Sequence, residues 1–146
     1  MSHKKLVKQQ KKAKNPLQRV LLVEDDAILA LALEAALLDG GAEEVVICSS
    51  MAATMRELEK ARPDAMILDV HLSDRHDGWA LAELASLLGP KRPRIAFSTG
   101  SPDDIPAEVR EMGCVFEKPY DPAQLVEVLL SGKKAGLFSR IRGALK

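Results

Sequence analysis

Apolar residues in this chain fall into short unbroken runs separated by longer stretches with helical spacing. Five runs read as strands: Val20-Leu21-Leu22-Val23, Val45-Val46-Ile47-Cys48, Ala65-Met66-Ile67-Leu68-Asp69, Arg94 to Ser98 and Cys114-Val115-Phe116. Runs of this length, bounded by turn residues, fit strands buried on both faces. Between and after them the pattern predicts helices. The first covers Ala27 to Asp39, stopped by Gly40-Gly41, since glycine commonly follows a helix C-terminus. The second covers Met51 to Ala61, with Ser49-Ser50 as its cap, and the third Trp79 to Leu88. A short fourth helix is expected from Asp103 to Met112, with Pro106 near its start, and a last one runs from the Asp121-Pro122 pair through Leu130.

Strands alternating with helices imply a parallel sheet covered on both faces. With right-handed crossovers, the expected fold is α/β: a flavodoxin-like (βα)5 doubly wound sheet in the order 2-1-3-4-5. Its switch point lies between the first and third strands. Cys48 and Cys114 then sit on opposite edges, too far apart to pair, which suits a reduced, cytoplasmic protein. No apolar stretch is long enough to span a bilayer, and no apolar segment of signal-peptide type follows the basic start.

Charge divides the chain where hydropathy does not. The formal net charge is zero, yet all 21 acids lie between Val20 and Leu130 against nine Lys or Arg, a balance of −12. The ends are basic. Residues 1–18 read as a flexible basic arm, 19–131 as the folded domain, and 132–146 as a basic amphipathic tail with the spacing of a helix, weakened by Gly136 and Gly143. For the arm a solvated tail is the ordinary reading and for the C-terminal tail packing back on the first helix; contact of either with an acidic partner, a membrane surface or, for the arm, nucleic acid is the sharper one. The first helix is apolar nearly all round, more than one sheet face can cover. Its surplus calls for cover from the tail or from a partner, with Leu29 and Leu33 as the expected contact residues.

The chemistry gathers where strands end. Ligands in open α/β sheets bind at the carboxyl edge, and Glu24-Asp25-Asp26 follows the first strand while Asp69 ends the third. Carboxylates so close repel unless one is protonated or a cation intervenes. Mg²⁺ takes one or two carboxylates, a carbonyl oxygen and waters, and the acids with the backbone carbonyl of His71 would form such a half-shell. Ser98 or Thr99 brings a hydroxyl from the fourth strand, and Lys118 brings an ammonium after the fifth. The set suits a phosphoryl group carried on an acid.

These segments resemble the receiver domains of two-component response regulators: Val20-Leu21-Leu22-Val23-Glu24-Asp25-Asp26, Ile67-Leu68-Asp69, Thr99-Gly100 and Lys118-Pro119, in the family's order. The resemblance implies that Asp69 accepts a phosphoryl group from the phosphohistidine of a sensor histidine kinase or a histidine phosphotransfer protein. It implies Mg²⁺ on Asp25, Asp69 and the His71 carbonyl, with Glu24 acting through water. Thr99 would hydrogen-bond the phosphoryl oxygen and Lys118 would pair with it, while Asp26 faces solvent or caps the first helix. Phe97-Ser98-Thr99-Gly100 is similar to the variant receivers whose fourth strand ends Phe-Ala-Thr-Gly, which favours Thr99 over Ser98. Val115 stands where many receivers carry the aromatic residue that turns inward, so readout is assigned to the loops after strands three and four.

The expectation is a single-domain regulator without a DNA-binding unit. It would signal to a downstream protein partner, or serve as a phosphorelay intermediate or phosphate sink, assisting only its own phosphorylation and dephosphorylation. An aspartyl-nucleophile phosphatase would want a second acid two residues after Asp69, where His71 stands. A binding module using the basic tails on nucleic acid or protein, independent of phosphorylation, is the alternative from another class.

Overall fold

The structure, a computed structural model, describes residues 17–72, 74–87, 91–132 and 140–142. The chain runs β1 (Arg19–Val23), α1 (Ala27–Asp39), β2 (Glu44–Cys48), α2 (Met51–Lys60), β3 (Ala65–Asp69), α3 (Ala80–Ser86), β4 (Arg94–Thr99), a 3-10 turn (Pro102–Asp104), α4 (Ala107–Arg110), β5 (Cys114–Glu117), α5 (Pro122–Ser131) and β6 (Arg140–Arg142). All pairings are parallel, in the order β2-β1-β3-β4-β5-β6. The five strands read from the sequence thus take the predicted 2-1-3-4-5 order.

Two apolar layers flank the sheet because alternate strand residues point to opposite faces. Leu21, Met66, Leu68 and Phe97 pack with Met51, Leu58, Leu81 and Val109 from α2, α3 and α4. On the other face Val20, Leu22, Ile67 and Phe116 pack with Leu33, Leu37, Leu125 and Leu129 from α1 and α5. Every residue of β3 is buried, as a central strand covered on both faces must be.

Local chemistry explains the helix ends. Asp26 caps α1, its Oδ1 accepting from Ile28 N at 3.0 Å and Leu29 N at 3.2 Å. Ser50 caps α2 through Ala53 N, and Asp121 caps α5 through Ala123 N with Pro122 in the first turn. These side chains satisfy backbone donors that a helix N-terminus leaves free. Gly132, at φ 66°, ends α5 in the left-handed conformation that glycine tolerates. The Arg94 guanidinium donates to the last carbonyls of that helix, Leu129 O at 3.0 Å and Leu130 O at 2.8 Å.

Three expectations are corrected. The single helix expected over Asp103 to Met112 is a 3-10 turn and a four-residue helix, split where Ile105 is extended before Pro106. Proline lacks an N–H and pushes the residue before it out of the helical region. The helical reading of the tail fails at Arg140–Arg142, which form a strand along β5 with Ile141 opposite Phe116. An open strand edge offers unpaired backbone groups, β-branched Ile141 suits a strand, and glycine weakens the competing helix. Finally, Leu33 is fully buried and Leu29 half-buried in the core layer; the large exposed apolar residues of α1 are Ile28 at 83%, Leu31 at 61% and Leu38 at 49%. The basic arm over 1–16, and the tail at 133–139 and 143–146, lie outside the described residues, as does Leu88 at the end of the expected third helix.

Cys48 and Cys114 are buried free thiols on β2 and β5, with β1, β3 and β4 between those strands. No helix among the described residues is long and apolar enough to cross a membrane.

Candidate functional site

Parallel register brings the polar residues together. Val23 pairs with Leu68, so Glu24 and Asp25 emerge beside Asp69; Asp69 pairs with Ser98, and Thr99 with Glu117, one residue before Lys118. Glu24 N donates to Cys48 O at 2.9 Å and Lys118 N to Thr99 O at 2.8 Å, which carries the ladder just past the strand ends. The predicted acids therefore meet: a carboxylate oxygen from each of Glu24, Asp25 and Asp69 lies within 4.8 Å of the other two.

Their environments differ. Glu24 is 2% and Asp69 4% exposed, whereas Asp25 is open to solvent. Lys118 Nζ stands 3.2 Å from Glu24 Oε1 and 3.5 Å from Asp69 Oδ2. One ammonium does not balance three carboxylates. Burial, reinforced by Asp69, pushes the Glu24 carboxyl up to about 8, and burial with Asp69 also raises Asp25. Asp69 Oδ1 accepts from His71 N at 3.2 Å and Glu24 Oε2 from Asp26 N at 3.1 Å. Glu24 Oε1 is buried and accepts no hydrogen bond among the described residues. A buried carboxylate oxygen held by an ion pair with Lys118 but by no hydrogen bond, beside two further acids, is a donor set that a hard divalent cation takes, so the residues fit Mg²⁺.

The two hydroxyls left open by the sequence part company. Ser98 is fully buried and its Oγ lies 2.6 Å from the Tyr120 hydroxyl. Thr99 Oγ1 accepts from Ser101 N at 2.9 Å, at the start of the β4 loop. Asp26 serves as the α1 cap. Val115 is 1% exposed in the apolar layer with Phe97 and Ile105.

Several contributors were not read from sequence. Gly78 N donates to Val70 O at 2.9 Å, and a Cβ there would overlap the Asp69 carbonyl oxygen. Asp74 accepts from Met51 N at 2.9 Å and Ala52 N at 3.3 Å, tying the loop after Asp69 to the start of α2. His71 Nε2 lies 2.9 Å from Asp104 Oδ2, joining that loop to the one after β4. Gly78 carries a signal of its own, since glycine marks turns and close backbone approach. The other two pairs join residues 22 and 33 positions apart and left none.

Comparison with known proteins agrees with this geometry. A response regulator receiver domain (CheY-like) from Methylobacillus flagellatus superposes with a TM-score of 0.63 at 27% identity, covering 80% of this chain and 99% of that one. The receiver domain of a sensor histidine kinase from Pseudomonas aeruginosa, described with a magnesium ion coordinated in its active-site cleft, gives 0.65 at 25% identity, over 78% of this chain and 95% of that one. A curated relative, a protein-glutamate methylesterase/protein-glutamine glutaminase of Anaeromyxobacter dehalogenans, is 29% identical over 136 residues, 85% of this chain. The chain spans only 38% of that relative's length. Residues 20–130 match the response regulator receiver domain model, from the strand that delivers Glu24 to the helix after Lys118. By that match the chain belongs to the receiver domains of response regulators.

Proposed function

We propose that Asp69 is the phosphoacceptor of this receiver and that a sensor histidine kinase or histidine phosphotransfer protein supplies the phosphoryl group. The observation that carries the reading is the position of Asp69: a nearly buried carboxylate at the end of β3, with Lys118 at 3.5 Å and two further acids beside it. An aspartyl carboxylate is a competent nucleophile for such transfer. Its oxygen attacks phosphorus as the bond to the donor imidazole breaks, and the imidazole leaves with the electron pair.

Each neighbour has a task set by its chemistry. Mg²⁺, held by Asp25, Asp69 and the His71 carbonyl with Glu24 behind them, would supply positive charge for the transferring phosphoryl oxygens. Lys118 offers a second positive charge, 3.5 Å from Asp69 Oδ2. The Thr99 hydroxyl, which accepts from Ser101 N, keeps its own proton to donate to a phosphoryl oxygen, so arrival of the group is felt in the β4 loop. The apolar stripe of Ile28 and Leu31, on the helix that starts beside the site, docks the donor's helix. Output is a protein contact or onward transfer, with the loops after β3 and β4 carrying the change.

Intact-mass measurement tests the central claim. Wild type incubated with a small phosphodonor and Mg²⁺ gains one phosphoryl group; Asp69→Ala gains none, and EDTA suppresses the gain in wild type. A gain that persists in Asp69→Ala overturns the assignment. Failure with every small donor and every phosphohistidine donor tried moves the reading to a phosphorylation-independent binding module.

A further inference from the structure

His71 and His76 lie on the two arms of the turn that follows β3. Hydrogen bonds of the turn itself, Leu72 N to Arg75 O at 2.8 Å and Gly78 N to Val70 O at 2.9 Å, hold those arms together. Asp74, bound to the start of α2, and the paired contacts of Arg75 with Asp77 fix its tip. The two imidazoles face each other with Nδ1 atoms 3.5 Å apart, ring centroids 5.6 Å apart and planes inclined at 59°.

Asp104 decides what His71 offers. An ionised carboxylate only accepts hydrogen bonds, so the 2.9 Å contact with Asp104 Oδ2 puts the ring proton on Nε2. In the neutral ring the Nδ1 lone pair is then directed at His76. A separation of 3.5 Å is long for a well-formed hydrogen bond. Two imidazole nitrogens bound tetrahedrally to one Zn²⁺, each at about 2.0–2.1 Å, stand roughly 3.4 Å apart. A carboxylate on the far nitrogen of a ligating histidine is also the usual support of such a ligand.

We propose that His71 Nδ1 and His76 Nδ1 form a site for a borderline divalent ion of the Zn²⁺ class, with Asp104 orienting His71. Both rings are exposed, so water fills the remaining positions. The site is separate from the acidic cluster and needs no phosphorylation. Imidazole nitrogen favours Zn²⁺ over Mg²⁺, which prefers oxygen donors, so the histidine pair discriminates between the two ions although the carbonyl and imidazole of one residue, His71, serve different sites.

Calorimetric titration of the full chain with Zn²⁺, with Mg²⁺ in large excess to occupy the acidic cluster, tests the assignment. One ion binds per wild-type chain, and the Nδ1 resonances of His71 and His76 move together in nitrogen NMR spectra. His76→Ala and His71→Ala each weaken binding by more than tenfold, and Asp104→Ala weakens it by about tenfold. Asp25→Asn leaves it unchanged. Equal affinity in His76→Ala and wild type, loss of binding in Asp25→Asn, or no Zn²⁺ uptake by wild type overturns the proposal. Because His76 takes no part in the phosphoacceptor assignment, either reading can fail without the other.

Discussion

Lys118 reaches into the mouth of the sheet to Glu24, its Nζ 3.2 Å from Oε1 and 3.4 Å from Oε2 of a side chain that is almost wholly buried. This single ammonium also stands within 3.5 Å of Asp69. The cluster therefore keeps an excess of negative charge, relieved either by a proton on Glu24 or by a metal ion.

That choice gives a pH dependence with a definite sign. The Glu24 carboxyl is raised to about 8 in the folded, metal-free protein from an ordinary value of 4.5, so between these limits the native state holds a proton that the unfolded chain has lost. Stability from this group is fully present below the lower limit and falls as pH rises toward the upper one, by at most about 1.4 kcal/mol per pH unit. Thermal melting in EDTA should show that decline, Glu24→Gln should flatten it, and saturating Mg²⁺ should reverse it by binding the ionised cluster. Mg²⁺ affinity itself rises over the same interval, as a titration at several pH values would record.

Gly78 is expected to tolerate no side chain. Gly78→Ala puts a methyl group into the Asp69 carbonyl oxygen, and overpacking of this kind costs about 1–3 kcal/mol. Urea unfolding measures the loss. Phosphorylation of the folded fraction should also slow, since the carbonyl displaced belongs to the proposed acceptor residue.

The faces of α1 should separate stability from docking. Ile28→Glu and Leu31→Glu change exposed positions, so unfolding free energy stays within about 0.5 kcal/mol of wild type. Transfer from a phosphohistidine protein slows several-fold while reaction with a small phosphodonor does not. Leu33→Ala, by contrast, empties a fully buried position and costs about 2–5 kcal/mol.

Tyr120 and Ser98 should behave as a coupled pair. Tyr120→Phe leaves the buried Ser98 hydroxyl without the partner seen at 2.6 Å, a loss of about 1–3 kcal/mol. Ser98→Ala in the same chain should recover part of that loss. Additive effects in the double-mutant cycle would show that the two hydroxyls do not interact.

The fold was legible because its strands are dense: Leu21-Leu22-Val23 and Met66-Ile67-Leu68 are buried on both faces, so no periodicity was needed to place them. Their carboxyl ends carried Glu24, Asp25 and Asp69 together once the strand order was inferred. The orientation of α1 was not legible for the same reason that made it conspicuous. A helix apolar nearly all round carries no stripe to mark its buried side, and Leu33 looked no different from Leu31. The ties made by Asp74 and Asp104 were equally hidden, because a polar loop residue bonds to whatever the fold sets beside it. In β6, open backbone groups along β5 outweighed the helical spacing of the tail.

The two thiols carry a consequence of their own. Cys48 and Cys114 are 2% and 5% exposed, and burial raises both above the ordinary thiol range. Nucleophilic attack requires the thiolate and access to it, so in the native state both sulfurs are slow to alkylate. Each becomes reactive only when its part of the sheet opens, one near the β2 edge and the other beyond the centre. A single alkylation time course, resolved by peptide mass, would then serve as a pair of clocks, timing local fraying at one flank of the molecule against opening at the other.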